Sequence, residues 1–175
     1  FKRNKMKIVS FSKLYLDELT QEVVPFWEKY SIDSEYGGFY TCINSDHEVY
    51  DTDKFLWLQA RQVWTFATLY DRLEKKKIWF EIAQSGSDFL EKYGHDGDYN
   101  WFFSLKREGQ PLVVPYNIFS YTFACMAMGK MYHITGEDKF KTAVGQTLNK
   151  ITQRAAKPKD RWDKSYPESR PLNNF

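Results

Sequence analysis

The stretch Lys54-Phe55-Leu56-Trp57-Leu58-Gln59-Ala60-Arg61-Gln62-Val63-Trp64-Thr65-Phe66 decides how this sequence is read. It predicts a helix over about 53–73, with Asp53 as its N-cap. Phe55, Leu56, Trp57, Leu58, Val63, Trp64, Phe66, Leu69 and Tyr70 go nearly all the way round. A helix of that kind is buried on several sides. The helix predicted next, over about 77–93, differs. Ile78, Ile82, Phe89 and Tyr93 form one stripe, with Glu81, Gln84, Asp88 and Lys92 opposite. It belongs on an outer surface.

Working outward from this pair, the pattern recurs. Gly94–Gly97 reads as a turn, Tyr99–Leu105 as a strand and Glu108–Pro111 as a second turn. A helix over about 117–134 is again apolar all round, through Ile118, Phe119, Phe123, Ala124, Cys125, Met126, Met128 and Met131. Gly136 stops it. A helix over about 138–152 again carries one stripe, Phe140, Val144, Leu148 and Ile151. The two blocks superpose at an offset of about 62 residues, with Phe39 on Trp101, Tyr40 on Phe102, Leu69 on Met131, Tyr70 on Tyr132, Ile78 on Phe140 and Ile82 on Val144. Before the first block, a helix over about 10–30 carries Leu19, Val23, Phe26 and Tyr30 on one side, and Pro25 should kink or split it. Phe39–Ile43 is a short strand entered through Asp33–Gly38, and Asn44-Ser45-Asp46 is a hairpin turn.

A repeated unit of hairpin, buried helix and amphipathic helix implies two concentric helical layers. The fold class is therefore all-α, a double-layered α/α toroid with short β-hairpins between helix pairs. Two units and a leading helix do not close such a ring, so residues 1–175 are expected to be an open array or the N-terminal portion of a single barrel domain.

The composition narrows the function classes. The 175 residues carry 25 Lys+Arg against 23 Asp+Glu, a net charge of +2. That balance makes no electrostatic case for nucleic acid or an anionic membrane. No stretch approaches the ~20 apolar residues of a membrane span, and Phe1-Lys2-Arg3-Asn4-Lys5 leads into no signal-peptide apolar run. Cys42 and Cys125 sit far apart in unlike contexts, which fits a reduced, cytoplasmic protein, although two thiols can still pair. The aromatic share is high: 12 Tyr, 14 Phe and 6 Trp make 18% of the chain. Aromatic rings supply core, and they also stack on sugar faces. The hairpin rings Phe39, Tyr40, Tyr99, Trp101 and Phe102 are the more open to the second role.

Arg61 is the chief candidate for chemistry. Trp57, Arg61 and Trp64, spaced at four and three, share a helix face. An arginine on a buried helix is costly unless paired. If the inner helices line a cavity, this face offers a planar fork between two indoles, suited to a hydroxylated or carbonyl-bearing ligand. A buried ion pair is the alternative. His47, His95 and His133 lack metal-ligand spacing and read as surface residues, so no metal site is indicated. Gly37-Gly38 is a hairpin entry and not a phosphate loop. Lys75-Lys76-Lys77 and Lys157-Pro158-Lys159-Asp160-Arg161 read as solvated segments.

The same residues resemble a known family. Tyr36-Gly37-Gly38-Phe39, the block Lys54–Phe66, Ile118-Phe119-Ser120 with Ala127-Met128, Thr135-Gly136-Glu137, and Arg170-Pro171-Leu172-Asn173-Asn174-Phe175 are similar, in order, to the N-acylglucosamine 2-epimerase (renin-binding protein) family. The resemblance implies an (α/α)6 barrel, of which this chain is somewhat under half. It implies a cofactor-independent isomerase that removes and returns the proton at C2 of an aldose through an enediolate-like intermediate, here interconverting N-acyl-D-glucosamine and N-acyl-D-mannosamine. Alternatives are an epimerase or aldose–ketose isomerase of unmodified sugars, such as cellobiose or mannose, or a non-catalytic carbohydrate- or protein-binding array. Arg61 matches the family's arginine near the sugar oxygens. Trp57 and Trp64 flank it as substrate-binding residues. Asn174 matches an asparagine at the start of an inner helix, and Phe119 falls where cellobiose-epimerising relatives carry a pocket tyrosine. The family's two acid/base histidines have no counterpart among His47, His95 and His133 and are expected beyond residue 175. The resemblance also implies a homodimer and, for some members, a nucleotide such as ATP as allosteric effector.

Overall fold

The computed structural model describes residues 11–113 and 118–156. The leading helix α1 spans 11–30 and widens into a π-turn at Leu19–Val23, just before Pro25. Proline has no N–H to donate, so the ladder must open around it. The π-turn inserts one residue and rotates the inward face. Val24 is the one buried residue of 11–30, and Leu19 and Trp27 pack beside it. Val23, placed inward by the regular spacing, is 42% exposed.

A hairpin follows, β1 (Cys42–Ile43) with β2 (Val49–Asp51), turning through Asn44 as expected. Then come β3 (Lys54–Phe55), α2 (Leu56–Arg72), α3 (Lys77–Tyr93), β4 (Ser104–Leu105), β5 (Pro111–Val113), α4 (Phe119–Thr135) and α5 (Asp138–Ala156). The strand assignments differ from the sequence reading: the strands read at Phe39–Ile43 and Tyr99–Leu105 shorten to Cys42–Ile43 and Ser104–Leu105. Pro111 begins a strand rather than closing a turn. Lys54 and Phe55 leave the predicted helix and pair with Leu105 and Ser104. Phe55, in extended conformation, thereby takes the N-cap position expected of Asp53, and the Leu56 N–H donates to the Phe103 carbonyl. The sheet β3-β4-β5 thus joins the two repeats.

Helices α2 and α4 pack on each other, with α3 on α2 and α5 on α4, which is the two-layer arrangement. Burial does not alternate with it, contrary to expectation. Seven residues are buried in α2, seven in α3 and six in α4. The outer helix α3 is covered by the Phe39 hairpin, by α2 and by α1, whose Glu28 accepts from Trp79 Nε1. The inner helices, in turn, leave one side open: Trp64 on α2, and Phe119 and Met126 on α4, are 38, 61 and 42% exposed.

The internal repeat is real down to single contacts. Phe39 and Trp101, aligned at 62, are both buried, and each makes an isolated bridge back across its turn, to Ile32 and His95. Each also packs on its repeat's outer helix: Phe39 against Gly86 of α3, and Trp101 through a 2.9 Å bond from Nε1 to Thr147 of α5. Gly86 and Thr147 lie 61 apart, as do the buried pairs Trp79 and Phe140, and Ile82 and Ala143. The offset therefore shortens by one at the outer helices. That is why Ile78, aligned with Phe140 at 62, is in fact exposed. Gly136, at φ 73°, ends α4 in the left-handed conformation, as the sequence required.

Gly86 carries a testable consequence. A Cβ there would lie 2.5 Å from the Phe39 ring and 2.7 Å from Val63 Cγ2. Gly86→Ala should lower stability by about 1–3 kcal/mol despite alanine's better helix propensity. Urea denaturation checks it: an unchanged or raised midpoint would disprove the close approach.

Candidate functional site

The site is built from the loop that precedes α2. Asp33 accepts backbone N–H bonds from Glu35 and Tyr36, and Gly37 and Gly38 continue the turn at φ 80° and 70°. Left-handed backbone of that kind favours glycine. A Cβ on Gly38 would also meet Gln59 Oε1 at 2.8 Å. That closeness lets the buried Gln59 amide clamp the Phe39 backbone on both sides, donating to its carbonyl at 2.7 Å and accepting from its N–H at 2.8 Å.

An ion cluster with a fully buried Asp33–Lys54 pair at its centre ties this turn to the second repeat. Lys54 Nζ donates to Asp33 Oδ2 (3.0 Å), to the Gly37 carbonyl and to the Arg107 carbonyl (2.8 Å). Arg107 donates from Nε to Asp33 Oδ2 (3.0 Å) and from Nη2 to Asp33 Oδ1 (3.1 Å) and Glu35 Oε2 (2.8 Å). Both side chains of the Asp33–Lys54 pair have 0% exposure. Burial opposes the Asp33 charge, but Arg107 and Lys54 hold its carboxyl far below the usual carboxylate range. Burial pulls Lys54 downward against the attraction of Asp33. Three acceptors match the three N–H donors of an ammonium, so Lys54 is read as charged.

On α2, Trp57 and Arg61 lie on the side toward α4. The Arg61 guanidinium carbon is 5.7 Å from the Trp57 ring centroid and 5.6 Å from that of Phe123, with the two rings 6.1 Å apart. The fork is thus held between two aromatic rings, and the second is Phe123, not the expected Trp64. Trp64 lies one turn further along, on the open side of α2. Arg61 is also not buried. It is exposed, and no carboxylate lies within ion-pair distance of it among the described residues. The fork is therefore available to a ligand. Arg61 forms part of the wall of a 260 Å³ cavity between α1 and α2.

Phe119 sits at the first position of α4 and is 61% exposed. Asn174 and the basic segment 157–161 lie outside the described residues. Of the hairpin aromatics, Phe39 and Trp101 are buried core and unavailable for stacking, while Tyr40, Tyr99 and Phe102 are half-buried. The histidines have structural neighbours. His47 stacks on Tyr30 at 4.4 Å, and His95 stacks on Tyr99 at 4.3 Å. His133 lies 3.6 Å from Asp71, which Lys130 already pairs at 2.6 Å. Burial pulls His95 below its ordinary range and pushes Glu91 above its own. Cys42 and Cys125 are free thiols. Among the described residues no cluster of His, Cys, Asp and Glu is placed to hold a metal ion, and no helix is long and apolar enough to cross a membrane.

Human N-acylglucosamine 2-epimerase is 37% identical over 133 residues, covering 74% of this chain and 31% of the human protein. The mouse N-acylglucosamine 2-epimerase is 34% identical over 143 residues, covering 79% and 34%. The chain therefore spans about a third of the length of these relatives. Among solved structures, cellobiose 2-epimerase from Bacillus thermoamylovorans superposes with a TM-score of 0.73 at 26% identity, over 82% of this chain and 37% of that one. The sequence profile of the N-acylglucosamine 2-epimerase family matches residues 38–173, a span that holds Lys54, Arg107, Arg61 and both inner helices. This chain belongs to the N-acylglucosamine 2-epimerase family.

Proposed function

We propose that the chain is part of a cytoplasmic sugar 2-epimerase of carbohydrate metabolism that interconverts N-acyl-D-glucosamine and N-acyl-D-mannosamine. The observation that carries this reading is the accessible Arg61 fork, held between Trp57 and Phe123 on an inner helix. Loss of the C2 proton from an open-chain aldose puts negative charge on the carbonyl oxygen. A fixed guanidinium stabilises that charge more than it stabilises the neutral carbonyl, so it lowers the barrier and does not merely tighten binding. Trp57 restrains the fork. Trp64, Phe119 and Asn174 are assigned to the substrate around it. The reaction moves one proton and needs no cofactor. A nucleotide such as ATP would act as an effector, and the working protein would be a homodimer.

The histidine contacts support placing the proton-transfer pair elsewhere in the whole protein. His47 and His95 are engaged in ring stacks, and His133 stands beside Asp71. Residues 1–175 alone should therefore show no turnover of N-acetylglucosamine, and their open apolar faces should make them prone to aggregate. Measured epimerisation by a monomeric preparation of 1–175 would refute this division of labour. For the whole protein, incubation with N-acetylglucosamine in D₂O should yield N-acetylmannosamine with deuterium at C2. Product without label would exclude exchangeable C2 deprotonation. The likeness to a cellobiose 2-epimerase supports a second reading, action on unmodified sugars. Higher kcat/KM for cellobiose or mannose than for N-acetylglucosamine would select it. No turnover of any of these sugars would favour a binding array.

A further inference from the structure

Strand β3 is two residues long, and α2 begins directly after it, at Leu56. Pairing of Lys54 with Leu105 and of Phe55 with Ser104 specifies a register poorly, because so short a ladder loses little by slipping. The next strand gives little help, since β4 pairs with β5 through an irregularity between Ser104 and Leu105. The start of α2 is weak in a second way. Phe55 stands at the N-cap and has no side-chain oxygen to offer the first N–H groups. The Leu56 N–H is taken instead by the Phe103 carbonyl at 3.0 Å, so the sheet holds the first turn of the helix.

Lys54 supplies what the ladder lacks. Its ammonium bonds Asp33 and the Gly37 carbonyl on one side, and on the other the carbonyl of Arg107 in the connection between β4 and β5. It also lies 4.5 Å from the centre of the Phe89 ring on α3. Successive side chains point to opposite faces of a strand, so a slip of one residue would carry the ammonium away from all of these partners. The buried residues Leu56, Ala60 and Val63 oppose sliding of the whole helix. Without the ion pair, the cheaper response is fraying of β3 and of the first turn of α2. Trp57 is in that turn, and it is one of the two rings around Arg61. A buried ion pair is weak evidence for stability, because well-packed apolar side chains often do as well, and fixing register is its best-attested use.

We propose that the buried Asp33–Lys54 pair is a positioning device for Arg61: it pins β3 on β4, holds the first turn of α2, and so keeps the Trp57 wall against the guanidinium. Both residues act through Trp57 and not on the sugar. The catalytic consequence rests on the epimerase reading, and the structural one does not.

Amide exchange in the whole protein is the structural readout. In Asp33→Asn, the Leu56, Gln59 and Ala60 amides should exchange at least about tenfold faster relative to those of Leu69 and Tyr70 in the same helix. In the double variant with Lys54→Met, stability should return in part, but local exchange should stay raised because β3 remains unpinned. Per folded molecule, both variants should lose about tenfold in kcat. That loss should vanish in an Arg61→Ala background, where no fork is left to misplace. Thr147→Val removes the bond to Trp101 in the second repeat and serves as control. It should lower the melting temperature and leave both readouts unchanged. Two results would overturn the proposal: exchange that rises equally along α2, or protection and kcat that return together with stability in the double variant. An Arg61→Ala protein with unchanged kcat would instead sink the catalytic reading of Arg61, and the exchange ratio then decides the positioning alone.

Discussion

If the proposed epimerase reading holds, Arg61→Ala in the whole protein is expected to lower kcat by about 10²–10³, the usual loss when one charge-assisted donor to a developing oxyanion is removed. Arg61→Lys should be nearly as damaging. It keeps the charge but loses the planar fork that lies between the Trp57 and Phe123 rings at 5.7 and 5.6 Å. Thermal midpoints should move little, because Arg61 is exposed and has no ion-pair partner among the described residues. That combination separates a catalytic arginine from a structural one. A variant that melts early yet turns over normally per folded molecule would assign Arg61 to the scaffold. Phe123→Leu is the companion test. It leaves the charge in place and removes one wall of the slot, so a rise in KM is expected along with the fall in kcat.

Asp33→Asn should be the most destabilising of the conservative changes. The amide keeps the shape of the turn but leaves the buried Lys54 ammonium without its carboxylate. Breaking a buried ion pair from one side costs about 3–5 kcal/mol. For a chain of this size that lowers Tm by roughly 6–20 °C. Adding Lys54→Met should recover part of the loss, because the unpaired charge goes with the lysine. Additive losses in the double variant would show that the two side chains are not coupled. The cluster also sets a pH dependence. The folded-state pKa of Asp33 lies below its unfolded value of about 3.9. Between these values the unfolded chain takes up a proton that the folded chain does not. The stabilisation by Asp33 is therefore complete above about pH 5 and is lost as pH falls through the acid range. Wild type should weaken steeply below about pH 4, and Asp33→Asn should show a shallower slope there.

Much of this is visible without coordinates, and the exceptions have physical causes. Pro25 announces an irregularity in the leading helix, but whether that helix kinks, breaks or widens depends on which ladder bonds re-form. The π-turn at Leu19–Val23 then moves Val24 inward in place of Val23. Asp53 is a sound N-cap by residue type, yet β3 forms because β4 offers Lys54 and Phe55 a partner from 50 positions away. Local propensity carries no information on that pairing. Lys54 looks like an ordinary surface lysine beside a helix start. Its burial depends on Asp33 and Arg107, which converge only once β3 pairs with β4.

What the sequence by itself determined is the periodic part. Two units of hairpin, inner helix and outer helix follow from apolar spacing and glycine positions, because helix and turn formation are governed by neighbours a few residues apart. It also placed Arg61 and Trp57 on one face of one helix. Only the tertiary structure decided that Phe123 closes the arginine slot, that Trp64 stays on the open side, and that Asp33, Lys54 and Arg107 form one cluster around a buried ion pair. Each of these depends on side chains from different repeats meeting in space. Such meetings depend on the packing angle of α2 on α4 and on the register of β3 on β4, which no local pattern in the chain encodes.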